Sequence, residues 1–590
     1  MSMEKASEST TGDNEPAPVL VDKKRYHDLD ALRGFAMLLG IVIHALQSFI
    51  PIPIPVAPQD INQSPEIYGY VFNVIHGFRM PLFFLISGFF TAMLWRNLGL
   101  RNLLKHRAKR ILLPLVVMTP LMWLIIIFFV FPVGKWKAET RKVSEQERRE
   151  SDHARKSNAK STIWSAARDG DTETINRHLE NGADVNTTGG EMMPYPPLIR
   201  AAMNGHAKAV QLLIEKGANV NAKAFDGMTA LTFAVFFGQT ETVILLIDND
   251  ADVNAMGLLG LTPTDYAKTE GTLGRFHVKA ANIFFKVKKE WNEIKEARPE
   301  IAKILEKAGG RSEEMSAVGL LRIGLMLAVF IPVTGHLWFL CYLVWLVLGF
   351  AVIVRLNRRL KWKPCPSWMI RSPWLWLVPL TLLPQVFQGA LSLMFNTPII
   401  GPDVSMGILP SPPILLYYAV FFGFGAICYG REEFEQQVKR PWPIYFVLAI
   451  PALLLGMYWV DLRNETFVAG WEANQSQVIW YHCVGSLCQV FFAWLMIFGC
   501  IGLFRHFFSG ENKKVRYISD ASYWLYLTHV FPITILQIWV SDWPCPSFLK
   551  FLLICAMAMG ILLLIYEYAI RYTWVGTMLN GKRTREPAGS

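Results

Sequence analysis

Charge is scarce in this sequence. Asp, Glu, Lys and Arg make up 18% of the 590 residues, against about a quarter in soluble domains. Hydrophobic residues reach 52% and the mean hydropathy is +0.28. With the long uncharged runs described below, these values exclude an ordinary cytosolic enzyme and a largely disordered chain. Cysteine is also sparse, at 8 residues. Six of them (Cys341, Cys428, Cys483, Cys488, Cys500 and Cys555) lie within apolar runs. No close Cys-x-x-Cys pair and no Cys/His cluster suggests a metal site, and no disulfide framework is visible. Residues 1–28 form a polar tail without the apolar core of a signal peptide. The first hydrophobic run is therefore expected to stay in the mature protein.

Long apolar runs, by contrast, are abundant. A spanning helix needs about 20 mostly apolar residues. Ten runs qualify, centred on 30–50, 69–95, 111–131, 336–355, 373–395, 413–430, 441–460, 478–504, 522–540 and 547–570. A shorter segment, 318–333, carries Arg322 and ends at Pro332, and reads as interfacial or re-entrant. The expected fold class is an all-α, multi-pass membrane bundle of about ten transmembrane helices. Charge placement tests the count. With a cytoplasmic N-terminus, the inner segments (1–33, 96–110, 355–372, 430–441, 505–520 and 571–590) hold 28 Lys and Arg. The short outer loops 51–68, 396–412, 462–477 and 541–548 hold only Arg463. The net charge of +11 is thus mainly a topology signal, and nucleic acid is not an expected partner. Both termini are expected to be cytoplasmic.

About 185 residues of different composition separate the third and fourth runs. "ENGADVN" (Glu180 to Asn186), "EKGANVN" (Glu215 to Asn221) and "DNDADVN" (Asp248 to Asn254) recur there. Ala166, Ala201, Ala234 and Ala267 recur at intervals of 35, 33 and 33. "LTPTDYA" (Leu261 to Ala267) opens a fourth unit. This period and these strings resemble ankyrin repeats. Such units bury their apolar faces only against neighbours, so three to four are about the minimum for a stable stack. The last unit is interrupted by a basic amphipathic piece, residues 272–297, before Arg298 to Gly310 supplies a closing helix. That piece reads equally as a membrane-surface helix or as a cover for the stack. The domain reading is a tail over 1–28, a first membrane part over 29–132, a charged linker over 133–160 and the repeat stack over 161–310. A second membrane part over 318–572 and a basic tail over 573–590 complete it. Three spans precede the insert, which puts it outside the cytoplasm. Lys135, Lys137, Arg141 and Lys142 next to the membrane weigh the other way. An ankyrin stack implies a protein partner.

An ionisable residue inside a span is costly and suggests function by default. Arg33 and His44 lie 11 residues apart in the first run. On a helix that is three turns plus about 20°, so both project from one face, about 16 Å apart along the axis. A thioester donor held by its phosphates near Arg33 could reach His44 through an extended arm. Taken singly, Arg33 also reads as a topological anchor and His44 as a helix-contact residue. The second run adds Arg79, which either faces a polar cavity or snorkels. It also adds Ser87, a possible nucleophile, although Ser87-Gly88 equally suits close helix packing. Arg107 and Arg110 share a helix face, where two guanidinium groups could fork onto phosphates; simple cytoplasmic charge is the plainer reading. His336 reads as an interfacial cap and His529 as a packed histidine on residue type alone.

Together these features resemble the acyltransferase-3 family of integral-membrane acyltransferases. The shared elements are Arg33 with His44, "PLFFLISGFF" (Pro81 to Phe90), and Arg107 with Arg110. "HLWFLCYLVWLV" (His336 to Val347), "YYAVFFGFGAICYG" (Tyr417 to Gly430) and "SYWLYLTHVFPI" (Ser522 to Ile533) extend the likeness. "HLWFL" and "LNGKR" (Leu579 to Arg583) are most similar to a subgroup linked to acylation of periplasmic glucans. The resemblance covers 26–131 and 335–585; the repeat insert departs from the family pattern but interrupts no motif.

The resemblance implies transfer of an acetyl- or succinyl-class group from cytoplasmic acyl-CoA to a hydroxyl, usually on a carbohydrate, at the outer face. It implies a bacterial inner membrane and no permanently bound cofactor. His44 would be the main catalytic group, Arg33 its motif partner, and Arg107 with Arg110 the donor-phosphate contacts; His336 and His529 match family positions. Chemically, His44 suits a general base, with Asp30 or another buried group orienting its surroundings, and Arg79 suits oxyanion or acceptor binding. Covalent acylation of His44 or Ser87 stays open. A transporter or a non-catalytic scaffold carrying ankyrin repeats is the alternative.

Overall fold

A computed structural model of the chain describes residues 25–50, 60, 65–130, 132–133, 162–189, 195–224, 227–257, 260–268, 291–312, 321, 324–325, 328–329, 331–389, 392–393, 398–439 and 442–581. The N-terminal tail up to residue 24, almost all of the charged linker and most of the basic amphipathic piece lie outside them. The regular elements among the described residues are helices, with one isolated bridge, Gly189 to Tyr195.

Among the described residues, six helices are long and apolar enough to cross a membrane, and a bent pair makes a seventh. The chain is a multi-pass membrane protein. The expected count of ten is not confirmed on length, for local reasons. The run at 373–395 contains the 12-residue helix Trp374–Gln385, which carries Pro379 and Pro384. The run at 413–430 yields the 17-residue helix Pro412–Cys428. Two expected runs share the stretch Ile67–Val130. Within it Gly99 takes φ +73°, a left-handed value that suits glycine. The chain turns back there, so that Arg107 Nη2 donates to Thr91 Oγ1 at 2.8 Å across 16 residues.

The helical run Trp442–Phe507 also contains two halves. A side chain on Gly456 would meet Cys488, one on Gly485 would meet Trp459 and Val460, and one on Gly499 would meet Phe446. Only two antiparallel helices give that pairing. Of residues 462–477, expected as an outer loop, 462–467 end the first helix and 474–477 begin the second. The reason is visible at Arg463. It is buried, with Nη1 on His482 Nδ1 at 2.9 Å and Nε and Nη2 donating to Asn464 Oδ1. A basic residue that an aqueous loop would have solvated is satisfied by helix neighbours instead.

Close approach of backbones fixes the core of the bundle. A Cβ on Gly88 would run into the Phe422 carbonyl, and one on Gly425 into that of Leu85. The two helices thus touch reciprocally, as small residues allow within membranes. The first helix, His27–Leu46, has Asp28 and Asp30 in its first turn, where carboxylates suit the helix dipole. It packs along Lys513–Thr528, with Gly34 against Ser519. The latter helix bends by 65° into Val530–Val540, with His529 at the break.

The repeat insert stacks short helix pairs around a core that includes Ala166, Ala201, Ala234 and Ala267. Successive units are tied by an asparagine ladder. Asn186 Nδ2 donates to Gly217 O and its Oδ1 accepts from Asn219 N; Asn221 treats Asp250 and Asp252 the same way. Asn254 makes the matching rung to Gly309 O and Arg311 N. That rung spans 55 residues where the earlier ones span 31 and 29, as an insertion within the last unit requires. The closing helix is longer than expected, Trp291–Lys307.

The insert leaves the bundle after Ile126–Val130, which packs on Val530–Val540. It re-enters at Ala328 to Thr334, whose backbone meets Ser405, Met406 and Leu409. Both junctions lie at the bundle end that holds Asp60 and Lys550, opposite the end that holds Arg33 and Arg505.

Candidate active site

Two polar clusters sit at different depths along the first helix. At its start, Asp30 pairs with Arg25 at 3.0 Å and with Arg33 at 3.3 Å. Arg33 Nη2 also donates to Ser519 Oγ at 3.2 Å, and Ser519 Oγ donates to the Asp30 carbonyl at 2.8 Å. Arg107 and Arg110 join this end, close enough to Arg33 for the three charges to act on one another. Arg110 occupies a π-helical turn, Ala108–Leu112, whose backbone is held by Tyr523 Oη on the Arg110 carbonyl at 2.5 Å. The buried Nε of Arg107 has no hydrogen-bond partner among the described residues. Like charges gathered with little carboxylate to balance them suit a polyanion such as a pyrophosphate. Beside this cluster lies a larger cavity lined by Arg25, Asp30, Phe507, Glu511, Arg516 and Ser519, among others.

Three turns further on, a smaller cavity gathers His44, Arg79, His336, Tyr526 and His529 around Gly40. The His44 and His529 rings are 5.0 Å apart between centroids, and His336 and His529 are 5.6 Å apart. His44 Nδ1 meets Gln47 Oε1 at 3.1 Å, while Gln537 Nε2 donates to the His44 carbonyl at 2.8 Å. His336 is no interfacial cap. It lies in a short turn, Gly335–Leu337, and its Nε2 reaches the Leu527 carbonyl at 3.1 Å. Arg79 Nη2 donates to the Met80 sulfur at 3.5 Å, and its buried Nε has no hydrogen-bond partner among the described residues. Arg79 therefore faces the cavity. Gly40 makes room for it: a Cβ there would sit 2.8 Å from Arg79 Nη1 and 3.7 Å from His529 Nε2.

Arg33 and His44 thus share one unbroken helix, with Arg107 and Arg110 beside the first and Arg79, His336 and His529 beside the second. Asp30 stands apart from His44; it orders Arg33, and Gln47 and Gln537 hold His44. Ser87 does not line the cavity. Its carbonyl accepts from Thr91 Oγ1 at 2.6 Å, which in turn receives Arg107. Among the described residues, no group of three or more His, Cys, Asp and Glu could hold a metal ion.

A known acyltransferase domain matches residues 26–140 and 311–567, more than half of the chain. The chain belongs to the acyltransferase-3 family. Ankyrin repeats, three copies, match residues 163–256. The acyltransferase-3 domain is thus interrupted by a repeat stack. Glucans biosynthesis protein C of Escherichia coli (strain SMS-3-5 / SECEC) is 35% identical to it over 122 residues. The protein of that name from Escherichia coli O157:H7 (strain EC4115 / EHEC) is 34% identical over 122 residues. Each alignment covers 20% of this chain and 30% of the relative. Within the acyltransferase, the contacts of Gln47, Thr91, Ser519, Tyr523, Tyr526 and Gln537 have no counterpart in the sequence reading. Only the motif "SYWLYLTHVFPI" marks two of them, Tyr523 and Tyr526.

Proposed function

We propose that this acyltransferase moves an acetyl- or succinyl-class group from acyl-CoA on the cytoplasmic side to a hydroxyl of a carbohydrate or similar acceptor at the opposite face. The observation that carries the reading is the pairing of the two clusters on one helix. A cationic cluster that suits phosphates stands about 16 Å, or 11 residues of helical rise, from a cavity rich in imidazole. Arg33, Arg107 and Arg110 hold the donor's phosphates, and its extended arm brings the thioester toward His44. The larger cavity beside Arg25 and Phe507 offers room for the rest of the donor's head.

Acyl transfer then needs a base for the hydroxyl proton, a cation for the developing oxyanion and a fixed geometry. His44 supplies the base. Its Nδ1 is taken by Gln47 Oε1, which leaves Nε2 to receive the proton. The hydroxyl oxygen attacks the thioester carbon, Arg79 stabilises the oxyanion, the C–S bond breaks and His44 returns the proton to sulfur. The ankyrin stack serves a protein partner. The glucan in the relatives' name makes a glucan hydroxyl the first acceptor to try.

Arg107→Gln tests the donor site. A hydrogen bond to a charged group contributes about 1.5–3 kcal/mol, so KM for acyl-CoA is expected to rise roughly tenfold to a hundredfold. The maximal rate is expected to stay near wild type. An unchanged KM in steady-state thiol-release kinetics places the phosphates elsewhere.

A further inference from the structure

His529 is 3% exposed and lies at the bend between two helices. Its Nδ1 stands 3.1 Å from the Leu525 carbonyl and 2.9 Å from the Tyr526 carbonyl. Carbonyl oxygens only accept, so Nδ1 must carry the ring proton. Nε2 is then a bare lone pair. It is buried, has no hydrogen-bond partner among the described residues, and lines the cavity that also holds His44 and Arg79. A buried acceptor left unmatched costs free energy, and a site retains that cost when a donor arrives during the reaction. Of the three cavity histidines, only His529 has a fully buried ring nitrogen with no hydrogen-bond partner among the described residues. His336 Nε2 is committed to a carbonyl, and His44 Nδ1 to Gln47.

We propose that His529 is a positioning residue for His44. When His44 Nε2 takes the hydroxyl proton, the imidazolium N–H turns to the waiting Nε2 of His529, whose ring centre is 5.0 Å away. His529 keeps its protonation throughout. The O–H bond breaks, the O–C bond forms, the C–S bond breaks and the proton leaves His44 for the thiolate, so atoms and charge balance without a further reactant. The charge-assisted hydrogen bond exists only after proton transfer, so it lowers the barrier rather than tightening substrate binding. The inference rests on the proposed role of His44.

Two isosteric variants separate this role from a structural one. In His529→Asn the amide nitrogen stands where Nδ1 was and can still donate to the bend carbonyls, but the inner acceptor is gone. In His529→Gln the amide oxygen stands where Nε2 was, and the bend donor is gone. The full chain in lipid nanodiscs is assayed for thiol release from acetyl-CoA and from succinyl-CoA with a glucan oligosaccharide as acceptor. The expected result is a kcat lowered about tenfold to a hundredfold in His529→Asn, with KM for the donor unchanged and His529→Gln within a few-fold of wild type. The reverse pattern, with His529→Asn normal and His529→Gln impaired, assigns the residue to the bend alone and overturns the proposal. Equal loss in both overturns it too, since a positioning acceptor is retained in one of them. A wild-type chain that turns over while His44→Ala does so equally well refutes the underlying reading, an outcome distinct from any His529 pattern.

Discussion

His44→Ala is expected to lower kcat for acyl transfer by about 10²- to 10⁴-fold, the usual contribution of a positioned general base. That corresponds to roughly 3–5 kcal/mol of barrier. KM for the donor should move little, because the phosphate contacts lie three turns away. The fold should tolerate the change. The backbone carbonyl of residue 44 keeps its bond from Gln537, and the lost side-chain partner, Gln47, caps the end of the same helix. Steady-state thiol release from purified wild-type and variant protein, with melting temperature as control, checks the expectation. A variant that keeps both its kcat and its melting temperature would remove His44 from the chemistry.

The second large effect concerns stability. Lys550 and Asp60 are 1% and 4% exposed and meet through two 2.9 Å contacts, with a third from Lys550 Nζ to the Ser541 carbonyl at 3.4 Å. Asp60 N also donates to the Ser48 carbonyl at 3.0 Å. The pair therefore ties the connection after the first helix to the start of the helix Ser547–Ile565. Removing one member strands the other charge away from water, which costs about 3–5 kcal/mol. Replacing both by apolar residues of similar volume is often neutral. Lys550→Met alone is thus expected to unfold at a clearly lower temperature in detergent, and Lys550→Met with Asp60→Leu to recover most of the loss. A single variant as stable as wild type would show that water reaches the pair.

Much of this architecture is legible in the sequence because it rests on regular spacing. Helical rise and twist are constant, so a separation of 11 residues sets Arg33 and His44 on one face whatever packs around them. Hydropathy and the placement of Lys and Arg mark the runs, and the repeat strings mark the stack, whose ladder Asn186, Asn221 and Asn254 are the last letters of the recurring motifs. What resists reading comes from partners far apart in the chain. Gln537 reaches residue 44 across 493 positions, Ser519 reaches Arg33 across 486, and Tyr523 reaches Arg110 across 413; no local pattern announces such pairs. Residue type misleads where burial alters its meaning. Arg463 suggests a loop and lies inside a helix pair. His336 suggests an interface and lines a cavity. Asp30, one turn from Arg33, serves that residue at one end of the helix and not His44 at the other. Proline and short length, at Trp374–Gln385, break the simple conversion of apolar runs into spans.

Sealed inside-out membrane vesicles bearing the full chain offer the decisive comparison, with radiolabelled acyl-CoA added outside and a glucan oligosaccharide trapped in the lumen. Donor cluster and imidazole cavity on opposite ends of one helix predict label on the lumenal glucan, absent with His44→Ala. Label that reaches glucan only when donor and acceptor share a face would contradict passage of the acyl group through the bundle.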